Sequence, residues 1–194
     1  MIKSFIEKEN FLNQVDCDLL INYQKLHATN DNSEWSLRSH DDNWEKRIVI
    51  CDKLYDKNVR DIIESVHYQA SILCAKFYNE DVIYPEFSNL VYWGVGMKLG
   101  VHADNVYINN PQRPHYTPNR DYSAVLYLNE EFEGGETYFK YNDYKVIPKT
   151  GKLIIFTADK KDAHGVREIT AGERYTLALW FTKNKKHMFT MNNE

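Results

Sequence analysis

Residues 164–181 read HGVREITAGERYTLALWF, in which short apolar runs stand on either side of a glycine turn. The runs at 166–169 and 175–181 are rich in β-branched, aromatic and aliphatic residues, and Gly172 lies between them. Such runs, separated by a turn signal, are typical of consecutive β-strands. This stretch therefore predicts strand, turn and strand near the C-terminal end of the chain.

The same pattern continues back toward the N terminus as far as about residue 85. Turn signals recur at Gly94 and Gly96, at Gly134 and Gly135, and at Gly151. So many short strands with regular turns favour a double-stranded β-helix, or jelly roll. The predicted strands are 87–93, 101–107, 122–128, 136–139, 144–147, 153–156, 166–169 and 175–181.

Upstream of residue 85 the apolar periodicity is that of helices. Asp16 is a candidate N-cap for a first helix that runs through Leu20 and Tyr23. A second helix is predicted over 54–78, where apolar residues recur at steps of three and four. We therefore expect an α+β fold with the N-terminal helices packed on a jelly-roll core. The expected organisation is a single domain over 1–194, mainly helical at 1–85 and with the jelly-roll core at 86–183.

Composition excludes several classes of protein. The 194 residues are 43% hydrophobic and 14% aromatic, which is too apolar for a disordered chain. The net charge is −4, and no basic stripe indicates nucleic-acid binding. No apolar run reaches the length of a membrane span, and the opening MIKSFIEKENFL lacks the apolar core of a signal peptide. An odd set of three cysteines argues against a disulfide framework, so we expect a cytoplasmic protein.

A candidate metal site begins with His102 and Asp104. Both lie in the predicted strand 101–107, and residues two apart in a strand point to the same face. His164 starts a later predicted strand after the turn at 159–163. Two histidines and one carboxylate with open positions form the facial triad of non-haem iron(II) oxygenases. A tripeptide of the form HxD is common, so an accidental match is the alternative.

Arg174 follows His164 by ten residues, and the predicted hairpin brings it back toward the strand of His164. An arginine offers a planar fork that binds a carboxylate in two places. A jelly-roll interior would hold this charge only with a partner, which a dicarboxylic cosubstrate would supply. The alternative, equally weighted from position alone, is a structural arginine paired with a surface acid such as Glu173.

The residues around these positions resemble a known family. The stretch from about 91 to 181 is similar to the catalytic domain of the prolyl and lysyl hydroxylase superfamily, and most of all to its prolyl 3-hydroxylase (leprecan) branch. The motifs that carry the resemblance are HADN at 102–105, RDYSAVLYLNEEFEGGETYF at 120–139, HGV at 164–166 and GERYTLALWF at 172–181.

The resemblance implies a jelly-roll dioxygenase that uses iron(II), 2-oxoglutarate and O₂, with ascorbate as an accessory. It implies iron on His102, Asp104 and His164, and 2-oxoglutarate held by Arg174. It also implies a cosubstrate contact at Ser123, which stands where relatives often have Thr and can donate a hydrogen bond. Tyr127 either faces the cosubstrate or packs in the core. Trp93 stands where related prolyl 4-hydroxylases often have a cosubstrate-contacting Tyr.

The implied reaction is hydroxylation of a prolyl residue in a peptide or protein, with release of succinate and CO₂. Hydroxylation of a lysyl residue, of a free amino acid or of another small molecule is the first alternative. A cupin-like enzyme without 2-oxoglutarate and a non-catalytic jelly-roll binding module are the others. Nucleic-acid demethylases of this fold tend to carry a second Arg six residues after the first, where this chain has Trp180. No nucleic acid or membrane is therefore expected as a partner, and the loops 35–44 and 109–119 are candidate lids over a peptide.

Overall fold

The computed structural model describes residues 5–28, 47–51 and 54–189. This part of the chain contains two α-helices and twelve β-strands. In chain order they are β1 (Ile6–Lys8), α1 (Gln14–His27), β2 (Ile48–Ile50), α2 (Lys57–Tyr78), β3 (Tyr84–Trp93), β4 (Leu99–His102), β5 (Tyr122–Tyr127), β6 (Phe132–Gly134), β7 (Thr137–Phe139), β8 (Tyr144–Lys145), β9 (Leu153–Thr157), β10 (His164–Val166), β11 (Ile169–Gly172) and β12 (Arg174–Thr182).

The N-cap of helix α1 lies three residues before the predicted cap, Asp16. Asn13 has the extended backbone of an N-cap, and its side-chain oxygen accepts from the Asp16 backbone N–H. The prediction that Asp16 caps the helix is therefore wrong. Asp16 lies in the first turn, where its carboxylate accepts from Asn13 Nδ2 at 2.7 Å and complements the helix dipole.

Helix α2 begins at Lys57 because Asp56 caps it, accepting from the backbone N–H groups of Asn58 and Val59. It ends where Asn79 adopts a left-handed conformation with φ of 56°. Phe77, which fits the same periodicity, is exposed, but the buried face of the helix carries most of the apolar positions that the periodicity predicted. They pack with residues of the larger sheet in the main hydrophobic core.

The larger sheet has six strands in the order β1-β9-β5-β12-β3-β2. Its long central strand β12 pairs antiparallel with β3 on one side and β5 on the other. The face that packs toward the helices carries Leu90, Leu126 and Leu177, all fully buried. Two edge strands come from the N-terminal part, since β1 pairs with β9 and β2 pairs with β3.

The smaller sheet has the order β4-β10-β7-β8, and β11 pairs with β6 in a separate two-stranded sheet. Residues of the larger and smaller sheets pack together, as in the cluster that joins Tyr127 and Phe156 to Phe139. Two facing antiparallel sheets beside helices are the predicted α+β double-stranded β-helix, so the predicted fold class is confirmed. The division into 1–85 and 86–183 stays a prediction.

The predicted hairpin after His164 is wrong. The predicted strand 166–169 is split between β10 and β11, which belong to different sheets, and β12 belongs to a third. The chain between His164 and Arg174 therefore crosses from the smaller sheet to the larger one. Strands that look consecutive in a sequence can pair with distant strands instead, since pairing depends on the whole topology. Neither described helix is long and apolar enough to span a bilayer.

Candidate metal centre

His102 and His164 face each other across two paired strands. His102 ends β4, His164 begins β10, and the two residues are direct register partners. Asp104 joins them, with its Oδ1 3.5 Å from His102 Nε2 and its Oδ2 3.9 Å from His164 Nε2. One ligand atom from each residue lies within 4.8 Å of the other two. This is a spacing at which one ion can be held by all three side chains.

Asp104 reaches this cluster without a strand to carry it. Strand β4 ends at His102, so the prediction that both residues lie within one strand is wrong. The backbone N–H groups of Asp104 and Asn105 both donate to the Ala158 carbonyl, and Thr117 Oγ1 donates to the Asp104 carbonyl. These bonds to residues distant in sequence hold the Asp104 backbone in place.

Both imidazoles present Nε2 to the cluster because their other ring nitrogen lies against a backbone carbonyl. His102 Nδ1 lies 3.0 Å from the Gly100 oxygen, and His164 Nδ1 lies 3.1 Å from the Asp162 oxygen. A carbonyl at Nδ1 favours the tautomer with its proton there and leaves the Nε2 lone pair for a metal. The donor set is then two imidazole nitrogens and one carboxylate, which suits non-haem iron(II).

For Asp104 and His164, the electrostatics of the cluster favour the protonation states that metal ligands need. Burial, together with the smaller effect of the neighbouring His102 charge, lowers the pKa of His164 to about 4. Burial also lowers the pKa of His102, but the hydrogen bond and charge of Asp104 outweigh it and leave that pKa raised. Burial raises the pKa of Asp104, yet its histidine neighbours and Ser123 outweigh this and hold it far below its usual range. The carboxylate is therefore ionised and His164 is neutral.

Ser123 supports Asp104 in this structure. Its Oγ donates to Asp104 Oδ2 at 2.5 Å from β5, across the cavity from β4. A hydrogen bond to a ligating carboxylate orients that ligand, as outer partners do in known metal sites. The sequence had Ser123 as a cosubstrate contact, and that role stays a prediction.

Arg174 is the largest side chain that is fully buried among the described residues, with 1% of its surface exposed. Its guanidinium lies near two aromatic rings, 5.2 Å from the centre of Trp93 and 5.1 Å from that of Tyr127. Its Nη2 donates to Thr137 Oγ1 over a long 3.4 Å, and its Nε has no hydrogen-bond partner within the described chain. Gly135 passes so close that a Cβ there would lie 3.0 Å from Arg174 Cδ.

The alternative partner for Arg174, Glu173, points elsewhere. Its carboxylate lies 3.6 Å from Lys25 Nζ and accepts from the Tyr175 hydroxyl at 3.0 Å. The interpretation of Arg174 as the partner of Glu173 is therefore wrong. Burial lowers the pKa of Arg174, but a guanidinium remains charged at neutral pH. A buried charge is costly unless it is paired, so this guanidinium favours binding of an anionic ligand.

A cavity of about 470 Å³ joins these parts, with the triad, Ser123 and Arg174 all in its wall. Tyr127 lies behind it and is fully buried, with its hydroxyl donating to Thr137. The predicted cosubstrate role of Tyr127 therefore stays a prediction, beside its role in packing.

The sequence missed three polar residues of this wall, Thr137, Arg120 and Asn89. Thr137 could have been found, since strand alternation puts it on the same face as buried Phe139. Arg120 stacks 3.9 Å from the centre of Trp180 and pairs with Glu86 at 3.0 Å. No local signal distinguishes Arg120 or Asn89 from a surface residue.

One of the two candidate lids borders the cavity. Tyr107, His115 and Tyr116 line it, and the His115 ring lies 4.6 Å from that of Tyr107 and 4.3 Å from that of Tyr116. His115 thus lies within the candidate lid 109–119 and in the wall of the cavity. The other candidate lid, 35–44, lies outside the described residues.

Comparison with known proteins identifies the domain. Residues 87–182 match the family model of the 2OG-Fe(II) oxygenase superfamily. Prolyl 3-hydroxylase 1 of Gallus gallus is 42% identical over 98 residues, which cover 45% of this chain and 13% of the relative. Prolyl 3-hydroxylase 2 of Homo sapiens is 42% identical over 93 residues and is likewise matched over 13% of its length. The chain thus spans about one eighth of the length of these curated relatives.

Solved structures share the fold at low identity. The viral collagen prolyl hydroxylase of Paramecium bursaria Chlorella virus-1, in complex with 2OG, superposes with a TM-score of 0.67 at 20% identity, covering 95% of this chain and 98% of that one. A prolyl hydroxylase from Trichoplax adhaerens, in complex with a hypoxia inducible factor peptide, gives 0.69 at 18% identity, covering 96% and 86%. Both matches extend over nearly the whole chain. The double-stranded β-helix and the helices beside it are therefore arranged as in these solved structures.

Proposed function

Because residues 87–182 form a 2OG-Fe(II) oxygenase domain, we propose that this chain hydroxylates a prolyl residue in a peptide or protein, with release of succinate and CO₂. In this proposal His102, Asp104 and His164 hold iron(II), and Arg174 holds the far carboxylate of 2-oxoglutarate. The observation that carries it is one cavity with the three convergent ligands and, in the same wall, a buried guanidinium that lacks an anion.

Bound iron(II) supplies the oxidising chemistry, in which O₂ and 2-oxoglutarate are consumed as a C–H bond becomes C–OH. The protein's own residues bind the ion and the cosubstrate and orient them. The two imidazoles and Asp104 would hold the ion, and the Ser123 hydroxyl, which donates to Asp104 Oδ2, would orient that carboxylate. Arg174 would bind the far carboxylate of the cosubstrate, and the nearby rings of Trp93 and Tyr127 stabilise its positive charge.

A prolyl substrate is supported by the relatives, whose names are those of prolyl 3-hydroxylases and whose identity to this domain exceeds 40%. The cavity agrees with it, because Val91, Ala178 and Trp180 offer an apolar and aromatic wall to a pyrrolidine ring. Lysyl, free amino acid and non-catalytic alternatives are less favoured. No nucleic acid or membrane is proposed as a partner, and the cytoplasmic location stays a prediction.

The test is an assay with iron(II), 2-oxoglutarate, O₂ and ascorbate on matched peptides that carry proline, lysine or alanine at one position. We expect succinate release to rise with the proline peptide and its mass to increase by one oxygen. Chromatography of the hydrolysed product against hydroxyproline standards shows which ring carbon carries the hydroxyl group. Equal rates on free proline and on the proline peptide would favour the small-molecule alternative. A mass increase of one oxygen in the lysine peptide alone would favour a lysyl hydroxylase.

A further inference from the structure

Asn89 lies in β3 with its side chain on the cavity between the two sheets. It is 2% exposed, and its Oδ1 has no hydrogen-bond partner within the described part of the chain. A buried carbonyl oxygen that has lost its water without a replacement destabilises the fold. An amide retained in such a place, on the wall of a binding cavity, suggests that a ligand supplies the missing partner.

The wall around Asn89 is apolar. Register places it opposite Ala178 on β12, and the neighbouring positions Val91 and Ile48 also line the cavity. An apolar residue would pack there without the cost of an orphan oxygen. The amide thus stands out as a polar contact on a surface otherwise suited to hydrocarbon.

Asn89 belongs to the substrate end of the cavity. Trp93, whose ring lies beside the Arg174 guanidinium, is four residues further along β3. Four residues of strand span about 13 Å at roughly 3.3 Å each. The four carbon–carbon bonds of a five-carbon dicarboxylate span less than about 6 Å at roughly 1.5 Å each. A five-carbon cosubstrate anchored on Arg174 beside Trp93 is shorter than the separation between Trp93 and Asn89 along the strand. Asn89 is therefore left to contact the substrate.

We propose that Asn89 recognises a backbone peptide group of the substrate, the one that follows the residue to be hydroxylated. The inference rests on the proposed function, because it takes the target to be a prolyl residue in a chain. Proline has no backbone N–H, so the nearest backbone donor on its C-terminal side is the N–H of the following residue. Oδ1 of Asn89 accepts from that N–H. Free proline has no such group, so this contact selects a residue within a chain.

Ser88 provides a matched control on the same strand. It is 1% exposed and its Oγ also lacks a hydrogen-bond partner in the described chain. Side chains alternate along a strand, so Ser88 shares the face of Leu90, which packs in the main core. Ser88 therefore has the same orphan oxygen as Asn89 but no access to the cavity.

The experiment compares wild type, Asn89→Leu and Ser88→Ala on two substrates. One is a peptide with a single internal proline, and the other is its ester analogue, in which oxygen replaces the N–H after the proline. We expect wild type to show a KM roughly tenfold higher for the ester. Asn89→Leu should have a similarly raised KM for the amide peptide and should no longer distinguish the two. Ser88→Ala should discriminate as wild type does.

Thermal unfolding separates recognition from folding. Asn89→Leu should melt at or above the wild-type temperature, since it removes an orphan oxygen, so its raised KM would not reflect a damaged fold. Continued discrimination against the ester by Asn89→Leu would overturn the inference, as would a rise in its Kd for 2-oxoglutarate alone, measured without O₂. If wild type releases succinate but oxidises no prolyl peptide, the proposed substrate fails and takes the inference with it. Normal wild-type turnover with an unaltered Asn89→Leu overturns the inference alone.

Discussion

Arg174 is a buried arginine whose hydrogen-bonding groups are only partly satisfied. The side chain is 1% exposed, its Nε has no hydrogen-bond partner within the described chain, and the acid beside it in sequence points toward Lys25. The two nearby rings stabilise the cation, and the Nε–H remains available to donate to an anion. A planar carboxylate meets such an edge in two places.

Arg174→Met should weaken 2-oxoglutarate binding and leave metal binding almost unchanged. A charge-assisted bond of this kind is worth about 1.5–3 kcal/mol, so the cosubstrate Kd should rise by roughly 10-fold to 150-fold. Arg174→Lys should recover part of the loss, because it keeps the charge without the fork. The measurement is a titration of 2-oxoglutarate into metal-loaded protein without O₂.

Arg167→Met is the control for this titration. Arg167 is exposed and stacks on the Tyr138 ring, 4.4 Å from its centre, so its loss should leave the Kd as in wild type. A folded Arg174→Met with an unchanged Kd would remove 2-oxoglutarate from the proposed function. It would favour the cupin-like alternative.

At the scale of elements, helix α2 carries a buried histidine into the core. His67 is 3% exposed, its ring lies 5.9 Å from that of Phe181 and its Nε2 has no hydrogen-bond partner in the described chain. Burial lowers the pKa of His67 from 6.5 to about 4. Protonation of this imidazole therefore weakens the packing of the helix on the sheet.

The free energy of unfolding should therefore fall as pH drops from about 6.5 toward 4, because the unfolded chain binds a proton that folded His67 resists. At pH 5 the loss from this residue is about 2 kcal/mol. His67→Leu removes the titrating group and should reduce the pH dependence by that amount. Urea unfolding of metal-free protein at pH 7.5 and pH 5.0 gives the comparison. An identical loss in both proteins would mean that other groups cause the acid sensitivity.

At the scale of the whole molecule, the metal centre joins parts that are distant in the chain. His102 and His164 come from paired strands of the smaller sheet, and Asp104 is held by the Ala158 carbonyl and by Ser123 of the larger sheet. An ion bound by all three ties the two sheets together. A ligand that binds only the folded state stabilises it by mass action.

Manganese(II), which occupies such a site without turnover, should therefore raise the melting temperature of wild type. At a hundred times its Kd the gain is about 2.7 kcal/mol, or roughly 5–10 °C for a chain of this size. Asp104→Ala should lose this rise. His115→Ala should keep it, because His115 lines the same cavity but lies outside the cluster of three ligands. A full rise in Asp104→Ala would place the ion elsewhere.

The sequence by itself determined the class of fold and the residue types of the centre. Turn signals and apolar runs predicted most strands, and helical periodicity predicted α2, because both depend on neighbours along the chain. The spacing of His102 and Asp104, with His164 and Arg174 downstream, indicated the chemistry before any contact was known. These are local patterns combined with the chemical character of single side chains.

Only the tertiary structure decided which groups meet. It separated β10, β11 and β12 into three sheets, ended β4 at His102, and placed the Ser123 hydroxyl on Asp104. It also left Asn89 without a partner for its oxygen. Strand pairing and burial depend on contacts between residues far apart in the chain, and the same side chain is bonded or orphaned according to what the opposite sheet presents. A sequence lists donors and acceptors, whereas packing determines their partners.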